Sequence, residues 1–268
     1  KNSAQVIRDN PYLLCNTEID FPFESVEKIA FDFGISNNDE MRLSAGIQYV
    51  LRKNLMNGHT CLPRHKLLNV SSALLSVDEI SLETVCDRMI ESFIVRSKTI
   101  NNEDFIALPD LYTAEEYISA RLASICRYNA VRSDINDLEI DYVENKLGIK
   151  FEEFQRTAIK NAFSNGIFIL TGGPGTGKTT TLNAIIELFE RRDANIMLAA
   201  PTGRAAKRMT ELTGREAKTI HRMLEVEWTS DSKHNFMRNE RNPLECEVLI
   251  LDEVSMVDTL LFESLFQV

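Results

Sequence analysis

Apolar residues recur at helical spacing through the first half of the chain and in short unbroken runs through the second. Over Ser25–Phe33 the spacing predicts a helix that stops at Gly34, a residue suited to the left-handed position after a helix. A second helix is expected over Asp39–Met56, with Leu43, Ile47, Val50, Leu51 and Leu55 turned inward and Gly58 following. Pro63 permits a third from Arg64 to Leu75. A fourth begins at Ser81, read as its N-cap, with Thr84 rather than Glu at the reciprocal capping position. Two β-prone runs, Phe93–Arg96 and Phe105–Leu108, flank Asn101-Asn102 and predict a hairpin. Helices followed by a hairpin give the order of a winged helix. An amphipathic helix from Thr113 to about Asn129 leads out, and the polar, acidic stretch Arg132–Asp141 is expected to be a linker.

Three apolar runs in the second half, Gly166–Thr171, Asn195–Ala200 and Glu247–Leu251, have the pattern of strands buried on both faces of a parallel sheet. After the first run, Leu182, Ile185, Ile186 and Phe189 recur at helical spacing. Trp228–Asn242 is polar and is expected to be a surface insertion poor in strand. The fold class is therefore α/β, a parallel sheet with its helices, preceded by a mostly α N-terminal region with a winged-helix-like part.

Between the first strand and its helix lies TGGPGTGKTTT, residues 171–181, which fits G-x-x-x-x-G-K-[ST] with Gly172, Gly177, Lys178 and Thr179. Glycines let such a loop turn its backbone N–H groups toward phosphate oxygens, and the following helix presents its N-terminus to the anion. This P-loop assigns nucleotide binding to Gly173, Gly175, Thr176, Gly177, Lys178, Thr179 and Thr180. Lys178 reaches the β/γ-phosphates, and the Thr179 hydroxyl is a ligand for Mg²⁺. The Glu247–Leu251 run delivers Asp252 and Glu253 to the C-terminal end of its strand. Asp252 is the second candidate on Mg²⁺, and Glu253 the base that orients and deprotonates the attacking water. Lys178, Asp252 and Glu253 are the candidate catalytic residues, with ATP and Mg²⁺ the expected cofactors.

Pro201-Thr-Gly-Arg-Ala-Ala-Lys-Arg continues the second strand into a basic helix, whose turn and N-terminus suit a phosphate chain. The net charge of −10 argues mildly against nonspecific nucleic-acid binding, yet the stretch Gly203–Arg222 is locally basic. The helix before the hairpin carries Glu83, Asp87 and Glu91 against Arg88, a poor complement to phosphate, so a scaffold or protein-docking role is expected for the N-terminal half. Cys15, Cys61, Cys86, Cys126 and Cys246 are scattered without a C-x-x-C pair and read as free thiols of a reducing cytoplasm. No run approaches the ~18 apolar residues of a membrane span, so no membrane partner is expected. The chain opens without Met, and Val268 falls within an apolar-periodic run, so a piece of a longer protein is expected.

Taken together, TGGPGTGKTTT, AAPTGRAAKRM, TIHRML and LILDEVSMVD resemble the RecD-type branch of superfamily 1 DNA helicases. NPYLL, IDFPFESVEKIAFDFGI, LSAGIQYVL, GHTCLP and LPDLYTAEEYIS resemble the N-terminal region of the stand-alone RecD-like (RecD/TraA) proteins. The resemblance implies three parts: a degenerate helix-hairpin-helix-like segment over 1–35, a helical, winged-helix-like domain over 36–132, and a RecA-like motor domain over 133–268, the first of two. It implies an ATP-dependent helicase moving 5′ to 3′ on single-stranded DNA in recombination or repair, with single-stranded and duplex DNA as partners. Gln155 would read adenine, and Thr202, Arg204, Lys207 and His221 fall in segments that line the DNA path. Where family members usually have glycines this chain has Asp20-Phe-Pro-Phe, whose side chains stand against a close backbone approach to phosphate. The second motor domain, with its arginine finger, lies outside the sequence; loss of such an arginine lowers kcat by about 10³–10⁵. Residues 1–268 alone are thus expected to hydrolyse ATP poorly and not to unwind DNA. A DNA-responsive ATPase switch without unwinding and a subunit of an exonuclease V-like complex are the alternative readings.

Overall fold

The computed structural model describes residues 3–15, 19, 21–127, 134–173, 175–228 and 234–268. The chain divides into two compact units, Lys1–Glu115 and Glu116–Val268.

The first unit holds helices α1 (Ser3–Asp9), α2 (Phe23–Asp32), α3 (Glu40–Leu55), α4 (Arg64–Leu75) and α5 (Glu79–Glu91), with a 3₁₀ turn over Pro11–Cys15. Strands β1 (Cys61–Pro63), β2 (Arg96–Ile100) and β3 (Glu103–Ala107) form an antiparallel sheet in the order β1-β3-β2. The apolar stripe of α3 is inward at Leu43, Ile47, Val50 and Leu51, against Leu67 and Leu75 of α4 and Leu82, Val85 and Met89 of α5. Leu55, expected in the same stripe, is instead exposed at the last residue of the helix.

Caps and turns explain where the sequence reading shifts. Asp78, not Ser81, caps α5: its Oδ1 accepts from Ser81 N at 2.8 Å, and the Ser81 hydroxyl donates to Oδ2 at 2.9 Å. The hairpin forms, but its first strand begins at Arg96, because Phe93 stands at φ 59° just past α5. Asn101 and Asn102, at φ 52° and 64°, make the two-residue turn whose twist matches the flanking strands. Helices α3, α4 and α5 with this sheet make the winged-helix arrangement; β1 was too short to leave a periodic signal.

Helix α6 (Pro109–Arg127) begins four residues ahead of the expected start at Thr113, and its expected end near Asn129 lies outside the described residues. In the second unit, α7 (Asp137–Leu147) occupies much of the stretch read as a linker. Asn136 and Glu139 close a reciprocal capping box there, and Ile140 and Val143 pack against Ile159 of α8 (Glu153–Ser164) and Leu188 of α9 (Lys178–Glu190). Acidic composition concealed an amphipathic helix.

Strands β4 (Ile196–Ala200), β5 (Ala217–Thr219) and β8 (Val248–Leu251) form a parallel sheet in the order β5-β4-β8. Helix α10 (Gly203–Thr213) connects β4 to β5, and the short α11 (Ile220–Met223) follows β5. On one face Ile186, Leu198 and Met209 pack with Ile250; on the other Ala199, Ile220 and Met223 pack with Leu261 and Leu265 around α12 (Thr259–Ser264). Contrary to expectation, a short antiparallel pair, β6 (Val226–Trp228) and β7 (His234–Phe236), occupies part of the polar insertion. The apolar run 166–171 is likewise not a strand: it pairs with none of the described strands, and Ile169 is 80% exposed. An apolar run forms a central strand only where a neighbour offers it a ladder.

Candidate nucleotide and nucleic-acid site

The P-loop is shaped by its glycines at two points. Gly175 and Gly177 lie at φ 78° and 79°, in the left-handed region, and Gly177 is the residue from which α9 springs. The Thr176 hydroxyl donates to the Gly173 carbonyl at 2.9 Å, and Lys178 Nζ donates to the Gly172 carbonyl at 2.5 Å. A Cβ on Gly172 would lie 2.7 Å from Thr176 Oγ1, so a larger residue there must displace that hydroxyl. Thr179 and Thr180 follow in the first turn of α9, half-buried. Pro174 lies outside the described residues.

Gln155 reaches this loop from α8. A Cβ on Gly177 would run into Gln155 Nε2, so the amide rests directly on the glycine. Its Oε1 accepts from Glu152 N at 2.9 Å, one half of a reciprocal capping box at the start of α8. Glu152 is the residue the sequence reading missed; the E-x-x-Q spacing ahead of an amphipathic helix was its signal.

The sheet register gathers the remaining candidates. Ala199 of β4 lies opposite Leu251 of β8, and Ala200 opposite Thr219 of β5. Because the strands are parallel, Thr202, His221 and the Asp252–Glu253 pair all emerge from the same, C-terminal edge, where open α/β sheets bind ligands. Thr202 caps α10, its hydroxyl accepting from Ala205 N at 3.1 Å. Arg204 and Lys207 are exposed on the first two turns, with Lys207 Nζ 4.0 Å from Glu211. His221 is half-buried on α11, its ring 6.1 Å from that of Phe236. Asp252 N donates to the Ala199 carbonyl at 3.0 Å, tying the strand end, while Asp252 Oδ1 accepts from Glu253 N at 3.0 Å. Glu253 is exposed and stands at φ 51°, a left-handed conformation uncommon for a residue with a side chain.

The donor set fits a nucleotide polyphosphate with a divalent cation: turned backbone amides, an ammonium, the Thr179 hydroxyl and the Asp252 carboxylate. Among the described residues there is no group of three or more His, Cys, Asp or Glu that could hold a metal ion.

Loop, helix and parallel sheet define the class: an α/β P-loop NTPase domain, a nucleotide-binding fold. Residues 155–268 match the family described as AAA domain, and residues 1–61 match the ATP-dependent RecD2 DNA helicase HHH domain. The chain is 30% identical over 254 residues to the ATP-dependent RecD2 DNA helicase of Deinococcus radiodurans, covering 91% of this chain and 34% of that protein. It is 38% identical over 148 residues to the RecBCD enzyme subunit RecD of Mycolicibacterium smegmatis, covering 47% of this chain and 26% of the subunit. An uncharacterised protein of Methanocaldococcus jannaschii is 28% identical over 255 residues, covering 81% of this chain and 22% of that protein. The chain is a RecD-like N-terminal region joined to a RecD-like first motor domain. It spans about a third of the length of the first of these relatives and about a quarter of the other two.

Proposed function

We propose that this chain is the N-terminal part and first motor domain of an ATP-dependent DNA helicase acting in recombination or repair in the cytoplasm, moving 5′ to 3′ on single-stranded DNA. The observation that carries this reading is the seating of Gln155 on Gly177, which sets a group able to read adenine beside a phosphate-binding loop. In this reading residues 1–35, 36–132 and 133–268 are the helix-hairpin-helix-like segment, the winged-helix-like domain and the motor domain. The loop amides and Lys178 hold the phosphates of ATP, with the Thr179 hydroxyl and Asp252 as the protein's ligands to Mg²⁺. Bound Mg²⁺ supplies charge neutralisation on the phosphates. Glu253 orients a water toward the γ-phosphate and takes its proton. Thr202, Arg204, Lys207 and His221 face the DNA strand, and movement comes from coupling that contact to hydrolysis. The RecD subunit's membership of RecBCD makes a protein partner for the N-terminal half part of the same reading.

Steady-state ATPase of the uninterrupted protein, with and without single-stranded DNA, tests the proposal. Strong stimulation is expected, abolished by Lys178→Ala. Glu253→Gln is expected to lower kcat by about 10²–10⁴ while nucleotide affinity is kept. A rate indifferent to DNA would overturn the motor reading and leave a nucleotide switch.

A further inference from the structure

We propose that the outward face of the wing sheet in the N-terminal unit binds single-stranded nucleic acid. This goes beyond the motor-domain reading, in which the strand meets Thr202, Arg204, Lys207 and His221.

The sheet register defines the face. Ser97 and Ile106 pair across β2 and β3, and Ile106 is fully buried in the core. Side chains alternate along a strand, so Arg96, Lys98 and Phe105 point the other way. The Arg96 guanidinium lies 5.4 Å from the Phe93 ring centroid and 4.9 Å from that of Tyr112, and Lys98 Nζ lies 5.6 Å from Tyr112. Lys98, Phe105 and Pro63 form one row across the three strands. That row leads to a cavity of about 470 Å³ lined by Phe105, Pro63, His59, Lys66 and Val70, among others. The acids at the hairpin tip are engaged: Glu103 with His65 at 3.4 Å, and Asp104 with the Thr99 hydroxyl at 2.6 Å.

Phe93 makes the case sharper. It is 67% exposed and held at φ 59°, so it carries both a hydration cost and backbone strain without contributing core packing. The left-handed turn there closes α5, with Phe93 N donating to the Ile90 carbonyl at 3.1 Å and Ile94 N to the Met89 carbonyl at 2.9 Å. A flat ring beside a guanidinium plane suits the faces of unstacked bases, and the neighbouring cations suit the phosphates between them. Helix α5 is a poor complement to a polyanion, since it carries Glu79, Glu83, Asp87 and Glu91 against Arg88. The wing, and not the helix preceding it, therefore has the matching chemistry.

The test is fluorescence anisotropy of a labelled oligodeoxythymidylate with the full chain, in a salt series, for Phe93→Gly, Lys98→Gln and the pair Arg204→Ala/Lys207→Ala. Phe93→Gly relieves the strain, so its thermal stability should hold or rise while affinity falls about tenfold, the loss of one stacked base. Lys98→Gln should reduce the magnitude of the salt slope by about 0.7, one phosphate contact on a single strand. Nucleotide binding by both variants should match the parent. If the parent binds and only Arg204→Ala/Lys207→Ala weakens it, the wing proposal is overturned and the motor reading stands. If the parent does not bind at all, both fall.

Discussion

Gly177 meets two demands at once: a left-handed backbone and a bare Cα on which the Gln155 amide rests. Gly177→Ala incurs a conformational cost of about 1–2 kcal/mol and also drives Gln155 from its seat. Adding Gln155→Ala removes the steric part alone. A double-mutant cycle on nucleotide affinity is therefore expected to show coupling between the two positions; strictly additive losses would refute the contact's role. Glycines of the loop were legible because phosphate chemistry dictates their spacing. The seating of Gln155 was not, since nothing in a linear string sets the start of one helix against the start of another. Nor was the left-handed turn at Glu253, where no glycine marks it.

Between elements, two buried ion clusters hold helices together. Arg42 is 3% exposed, and its guanidinium donates to Glu27 of α2 at 2.7 Å, to the Asn37 carbonyl at 2.7 Å and to the Leu75 carbonyl of α4 at 3.1 Å. Arg42→Leu leaves the Glu27 carboxylate without its counter-charge, though the Tyr12 hydroxyl still donates to it at 2.6 Å, and is expected to cost about 3 kcal/mol, read as an earlier melt of the N-terminal unit. Glu144 of α7 plays the corresponding part beside α8, accepting from Lys150 Nζ at 2.6 Å, Phe151 N at 2.9 Å and Arg156 Nη1 at 2.9 Å. These donors hold its carboxyl at about 2, against an ordinary 4.5. The folded pKa is depressed, so the stabilisation is complete above the ordinary value and is lost as pH falls from 4.5 toward 2. The stability difference between parent and Glu144→Gln should shrink through that window, and a difference constant from pH 7 down would contradict it. Sequence reading found the helices whose apolar stripes are plain, α3 and α4. It misread α7, where Asp137, Glu139, Asp141 and Glu144 masked a stripe of Ile140 and Val143. It placed the cap of α5 at Ser81 because Asp78 offers the same chemistry three residues earlier.

At the scale of the molecule, the two proposed nucleic-acid contacts fall on the edge of one sheet and the face of another. The parallel sheet sends Thr202, His221 and Asp252 to one edge, while the wing sheet turns Arg96, Lys98 and Phe105 outward in a chain whose net charge is −10. Local charge pattern, more than the total, governs where a polyanion settles. The order of strands was legible only in part, because the run 166–171 reads as a strand from its residues and yet has no ladder partner among the described strands.

The outer position of β8 has a consequence for handling the protein. In the described sheet β8 pairs with β4 alone, and its residues Val248-Leu249-Ile250-Leu251 carry no charge. An uncharged edge strand is a template for a strand from another molecule, and natural edges are usually guarded by lysine, proline or a bulge. Residues 1–268 are therefore expected to self-associate as concentration rises, with sedimentation velocity showing growing oligomers at low salt and high alike. A monomer unchanged across a hundredfold range, about micromolar upward, would mean that this edge is covered.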